Sequence, residues 1–284
     1  IKMKTRPSTD LSGRGEMFEW WGAENDVELA RQLCQTAAYL KTSQTYRIRQ
    51  IAASIRLYAG LSVYSYAGSN VSKMDRTKTL PDDKPTFNLI RACVDTLHSR
   101  LSQNEPQPKF LTDNANYKDR HLAQRLNQFV LGEFYQTKAY EKAAKILKDG
   151  LTVGVGALKV YEGDDKKVSV DRVLVTDLYV DDNDSINGCP QQLTQLKLMD
   201  REKLFYTTDD KKAKKIIENT PNSFPDNSAD SGRTASDQIL VVEGWHLPQG
   251  QLLVDGKTEW IQEGRHSICT VEGTIRDEKW TKPK

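Results

Sequence analysis

Across residues 150–156 this sequence passes from one pattern of apolar residues to another. Upstream, apolar side chains recur at steps of three and four. Downstream, short β-branched runs alternate with turn residues. Gly150, Gly154 and Gly156 mark the change. The pattern predicts an α+β fold, with long N-terminal helices over 1–150 followed by a mixed, mainly antiparallel β region over 151–284.

In the first part, Asn25 to Leu40 contains neither proline nor glycine, and Val27, Leu29, Ala30, Leu33, Ala37 and Leu40 give a broad apolar face. Ser43 is expected to cap a second helix carrying Ile48, Ile51, Ile55 and Tyr58, ended by Gly60 and Gly68. Residues 68–86 read as a loop. A third helix is expected from Phe87 to Ser102, with Phe87, Ile90, Val94, Leu97 and Leu101 in register and Pro106 beyond its end. After an extended piece, Lys109 to Thr112, the longest helix is expected from Asn116 to Gly150, weakened near Thr137.

In the second part, Ala157–Tyr161 and Val168–Val175 flank a Glu-Gly-Asp-Asp turn and predict a hairpin. Further strands are expected at Leu178–Val180, Leu193–Leu198, Ile239–His246, Gln251–Val254 and Ser267–Ile275, with Asp255-Gly256 as a turn. Two short helices are expected at Arg201–Tyr206 and Asp209–Glu218. Residues 219–236 are poor in apolar side chains and predict a mobile loop. Phe18, Trp20 and Trp21 are too apolar for a free tail and predict docking on this chain's core or on an adjacent protomer.

Chemistry-bearing residues are sparse. The glycines at 150, 154 and 156 follow a helix and precede a strand, the reverse of a phosphate cradle, so a helix C-cap is expected. Asp181, Asp182 and Asp184 lack the glycine and glutamate of a calcium loop and read as a solvated acidic turn. A metal-dependent hydrolase built on them is the weakest reading. His98, His121, His246 and His266 show no ligand or triad spacing. Cys34, Cys93, Cys189 and Cys269 form no close pair, which suits a reducing cytoplasm. No apolar run reaches the roughly 18 residues of a membrane span, so a soluble, intracellular protein is expected. Neither catalysis, a metal nor a cofactor is expected.

Charge is nearly balanced, with 41 basic against 39 acidic residues. A dedicated nucleic-acid gripper carries a basic excess, so any such contact is local. One tract stands out: Leu29 to Met74 holds no Asp or Glu, while Arg31, Lys41, Arg47, Arg49, Arg56 and Lys73 alternate with Tyr39, Tyr46, Tyr58, Tyr64 and Tyr66. Arg47, Arg49 and Arg56 are the candidate nucleic-acid contacts. The competing reading, favoured by the near-neutral total, is a face that pairs with acidic residues of a neighbouring subunit. The lysines at 211, 212, 214 and 215 read as a solvated helix face.

Three stretches taken in order resemble portal proteins of tailed bacteriophages, especially those of short-tailed phages and prophages. They are FNLIRACVDTLHSRLSQNEPQPKF; then KAAKILKDGLTVGVGALKVYEGDDKKVSVDRVLVTDLYVDDND; then MDREKLFYT with VVEGWHLP and LLVDGKTEW. The likeness covers most of 87–275. It implies a structural subunit of a ring, typically dodecameric, at one capsid vertex of the virion, assembled in the host cytoplasm. The implied partners are sister copies, capsid protein, the packaging terminase, tail adaptor proteins and double-stranded DNA passing through without sequence preference. Residues 1–284 would then be the wing region, with the stem and clip expected to be absent from this chain. The alternative is a non-specific nucleic-acid-binding module without a ring role.

Overall fold

The computed structural model describes residues 19–60, 87–112, 116–163, 166–186, 188, 190–223, 237–254 and 257–280, with backbone alone at 251–254 and 257–261. The expected loop 68–86, most of 219–236 and the 255–256 turn fall outside these residues, as do Phe18, Tyr64, Tyr66, Lys73 and Cys189. The fold is α+β, with helices first and then a β region whose strand pairings are antiparallel among the described residues.

The chain forms two compact units that cut across the expected division at 150. Unit 1 combines residues 1–46 with 177–284, and unit 2 is residues 47–176. The reason is tertiary: the first long helix packs on strands made from the far end of the sequence.

In unit 1, helix α1 (Asp26–Ser43) follows a short 3-10 turn, Trp20–Gly22. Ser43 ends α1 and does not cap the next helix. Strands β3 (Leu178–Tyr179), β4 (Gln192–Asp200), β5 (Gln238–His246), β8 (Gly264–Thr270) and β9 (Gly273–Trp280) form one sheet in the order β3-β4-β5-β8-β9. The single strand expected over Ser267–Ile275 is two, because the chain reverses at Val271-Glu272 and pairs Thr270 with Gly273. Helices α7 (Arg201–Thr207) and α8 (Lys211–Asn219) lie on the sheet's other face. Strand periodicity sorts the side chains between the two faces. Leu196, Val242 and Cys269 join Trp20, Leu29, Ala30, Leu33 and Ala37 under α1, whereas Met199, Ile239, Val241, Ile268 and Ile275 join Leu204 and Ile217 under α7 and α8. Gly244 makes the first of these layers possible, since a Cβ there would lie 2.6 Å from Leu33 Cδ1. A two-stranded ribbon of β6 (Gln249–Val254) and β7 (Lys257–Gln262) completes the unit, with the four-residue α6 (Asp182–Ser185) before β4.

Unit 2 holds most of α2 (Thr45–Ala59), then α3 (Leu89–Ser102), α4 (Tyr117–Gln136), α5 (Ala139–Val153) and a hairpin of β1 (Ala157–Glu162) with β2 (Val168–Val173). Asn88 joins two helices: its amide donates to the Leu57 and Tyr58 carbonyls at the end of α2, and its oxygen accepts from Arg91 N at the start of α3. The expected weak point at Thr137 is a true break, with Lys138 in a left-handed conformation (φ 52°) between α4 and α5. α5 runs past Gly150 to Val153, and Gly154 (φ 91°) is its C-cap. Gly156 then passes close under the helix, where a Cβ would sit 2.5 Å from Ile146 O. Val175, expected in the second hairpin strand, belongs to a 3-10 turn.

Candidate functional site

The two units bind their own elements by different means. In unit 2, α3 meets α5 through its polar side. Tyr58 Oη donates to Asp95 Oδ1 at 2.7 Å, and Arg91 and Lys148 each approach the same carboxylate at 3.5 Å. The Tyr58 hydrogen bond, with Lys148 and Arg91, holds the Asp95 carboxyl below its ordinary pKa. His98 Nε2 donates to Ala144 O at 2.9 Å. On α5, Asp149 accepts both arms of the Arg172 guanidinium, at 2.5 and 2.6 Å.

The apolar stripe of α3 lies about a quarter of a turn away from that contact at roughly 100° per residue. Phe87 is 87% exposed, and Ile90, Leu97 and Leu101 are about half exposed. On α4 the side formed by Ala123, Asn127, Val130 and Phe134 is covered, while Leu122, Leu126 and Phe129 stand out on the adjacent flank. α3 contains no buried residue, and α4 contains only Ala123.

The candidate arginines lie on α2. Arg49 is exposed and makes no ion pair among the described residues; Arg47 and Arg56 are half-buried and have partners. Arg49 and Arg56, seven apart, share a flank, but Arg47 lies round the other side of the helix. The three therefore do not form one patch.

Unit 1 contains a cleft of about 310 Å³ that no sequence spacing announced. Trp21, His246, Asp181, Asp184 and Gln191 are among its lining residues. Asp181 caps α6, its Oδ1 accepting from Asn183 N at 2.8 Å. Asp184 Oδ2 accepts from Gln191 N and Gln192 N at 2.5 and 3.1 Å. The acidic turn is thus a backbone staple. Among the described residues, no group of three or more His, Cys, Asp or Glu side chains is placed to hold a metal ion. His246 is 1% exposed, stacks on Trp21 at 4.1 Å, and has a buried Nδ1 without a hydrogen-bond partner. Burial lowers its pKa to about 4 against a small opposing pull from Asp184, so the ring is neutral at pH 7.

The other expected candidates are scattered. His266 lies on the opposite sheet face, 2.8 Å from Glu243 Oε1 and stacked on Trp245. His121 bonds Tyr117 Oη on α4. Burial pushes the Cys34 thiol up to about 11 and Cys269 to about 12, which leaves both protonated and poor nucleophiles. The lysines of α8 surround a buried Ala213 and Ile217, and Lys214 rests 5.0 Å over Phe205. No helix among the described residues is long and apolar enough to cross a membrane. The sequence matches no protein-family model and no curated protein.

Proposed function

We propose that this chain is the structural subunit of a phage portal ring, a conduit for DNA entry and exit and a platform for the packaging motor and tail, without catalytic activity or cofactor. The observation that carries the reading is the uncovered apolar flank of α3 and α4 in unit 2. A protomer whose helices adhere through polar contacts and turn their apolar stripes outward gains its missing layer from another chain. The apolar residues of these flanks, Phe87 just before α3, Ile90, Leu97 and Leu101 on it, and Leu122, Leu126 and Phe129 on α4, are 38% to 87% exposed, the kind of surface from which an interface core is made. A heterologous contact closes into a ring where its rotation returns to the first copy, as this reading requires. The order of the motifs between Phe87 and Ile275 and their likeness to portal proteins supply the identity of the ring; near-neutral total charge fits a channel that lets DNA slide.

The test is direct imaging. Electron microscopy and light scattering of the full-length product should show a closed ring that survives moderate salt. A strictly monomeric protein at high concentration across the salt range overturns the reading. The nucleic-acid module has less behind it, because only Arg49 of its three arginines is fully presented.

A further inference from the structure

We propose that the β6–β7 ribbon of unit 1 lies across the α3–α4 flank of unit 2 in a neighbouring copy of this chain. The inference rests on the ring reading and names the surface that covers the flank.

A ring joins its copies through a heterologous contact, in which one patch meets a different patch on the next copy. The flank supplies one patch, so the second lies elsewhere on the chain and also lacks a cover. The ribbon meets that description. Among the described residues no third strand joins β6 and β7, and no helix packs along them. The other two-stranded pair, β1–β2, has α5 against it. Two strands alone are marginally stable in water unless something covers them. The ribbon is also apolar on both faces by sequence, since neither Leu252-Leu253-Val254 nor Trp260-Ile261 can fall on a single face of a strand. Elsewhere in unit 1 the most exposed apolar residues, Val27, Tyr46, Ile186, Tyr206 and Val271, are spread over as many elements and turns. Scattered residues of that kind are ordinary on a soluble surface.

Size and charge agree with the match. The 14-residue α3 and the six-residue strands of the ribbon each span roughly 20 Å. Over 249–262 the sequence carries Asp255 and Glu259 against Lys257. The flank has the opposite sign. Arg100 sits beside Leu97 and Leu101 on α3, and Lys118 and Arg125 share a stripe of α4 with Leu122 and Phe129. All three cations are exposed and make no ion pair among the described residues. Of the acids on these two helices, Asp95 is already held by Tyr58, Arg91 and Lys148, which leaves Asp119 and Glu133. A ribbon that brings an aromatic anchor and negative charge to a basic, apolar flank supplies both the affinity and the register of a contact.

Photo-crosslinking on the full chain tests the docking. Chain with p-benzoylphenylalanine in place of Trp260 is mixed, before assembly, with an equal amount of unmodified chain labelled with heavy isotopes, and crosslinked peptides are read by mass spectrometry. The expected products join the light ribbon peptide to heavy peptides from 87–136. Crosslinks that map to another surface, reach a second ribbon, or join light peptides alone overturn the proposal, as does their absence from assembled rings. A second arm reads assembly. Trp260→Ser with Ile261→Ser should raise the concentration needed for half-assembly by roughly tenfold or more. The circular-dichroism melt of the monomer should stay in place, because no helix or third strand among the described residues leans on the ribbon. Normal assembly of that variant overturns the docking and leaves the ring reading standing; a parent protein that stays monomeric overturns the ring reading itself.

Discussion

Unit 1 and unit 2 are built from similar amounts of chain but with opposite uses of apolar and polar side chains. In unit 1 apolar layers on both faces of one sheet hold the elements together, with Trp20, Leu29, Leu33, Ile217 and Ile239 essentially inaccessible. In unit 2 the helices are pinned by Asn88, Asp95, His98 and Asp149, and the apolar residues look outward. The first arrangement stabilises a chain by itself. The second leaves much of its apolar surface exposed.

Four measurements break or sharpen that contrast. All five tryptophans fall within unit 1, so their fluorescence reports on it alone, while far-UV circular dichroism also follows the helices of unit 2. Trp20→Ala should cost unit 1 about 3–5 kcal/mol, as truncation of a buried aromatic does. Urea titration followed at tryptophan would show it, and a loss under 1 kcal/mol would mean the layer under α1 is not what holds the sheet. Next comes pH. His246 has a folded pKa depressed to about 4 against the ordinary value near 6.5. Above pH 6.5 neither folded nor unfolded state is charged there, and its contribution to stability is complete. As pH falls from 6.5 towards 4 the unfolded chain takes up a proton that the folded one refuses, so stability drops by up to about 3 kcal/mol. His246→Gln should flatten that part of the urea-midpoint profile; an unchanged slope assigns it to other groups.

Asn88→Ala should cost about 1 kcal/mol, the usual value of an N-cap, and should shift the dichroism transition while leaving the tryptophan transition in place. Leu97→Gln with Leu126→Gln should change monomer stability by no more than about 0.5 kcal/mol, because exposed sites contribute little. The same pair should abolish assembly in light scattering. A large monomer destabilisation would show that these flanks are covered within the chain, and the contrast between the units would dissolve.

Much of the fold was legible because it is local. The helical spacing of Ile90, Val94, Leu97 and Leu101 marks α3, and the weak stretch at Thr137 marks the α4–α5 break. Periodicity reveals that a helix has an apolar side but not what covers it, so the exposed flank of α3 was invisible in sequence. The β8–β9 reversal was missed because Val271 and Glu272 are not turn formers, and the β-branched residues around them read as one strand. Gly150 did not stop α5, since packing against α3 and β2 outweighs the roughly 1 kcal/mol cost of a helical glycine. The cleft could not be seen at all. Its parts come from residue 21, from residues 181, 183, 184, 191 and 192, and from 246 and 249, and only the fold brings them together. The backbone-stapling role of the acidic turn was equally hidden, because it depends on amides seven and eight residues downstream of Asp184.

The interleaving of unit 1 has a consequence for the order of events on the ribosome. Arg265 donates to the Trp21 and Ala23 carbonyls, and Thr274 Oγ1 to Asp26 O, across separations of 242 to 248 residues. The apolar side of α1 therefore emerges long before the strands that cover it, while residues 47–176 can complete their nearby contacts in the interval. Newly made chains must shield α1 until β8 and β9 have emerged, and a nascent chain stalled before β8 is the species most prone to clump.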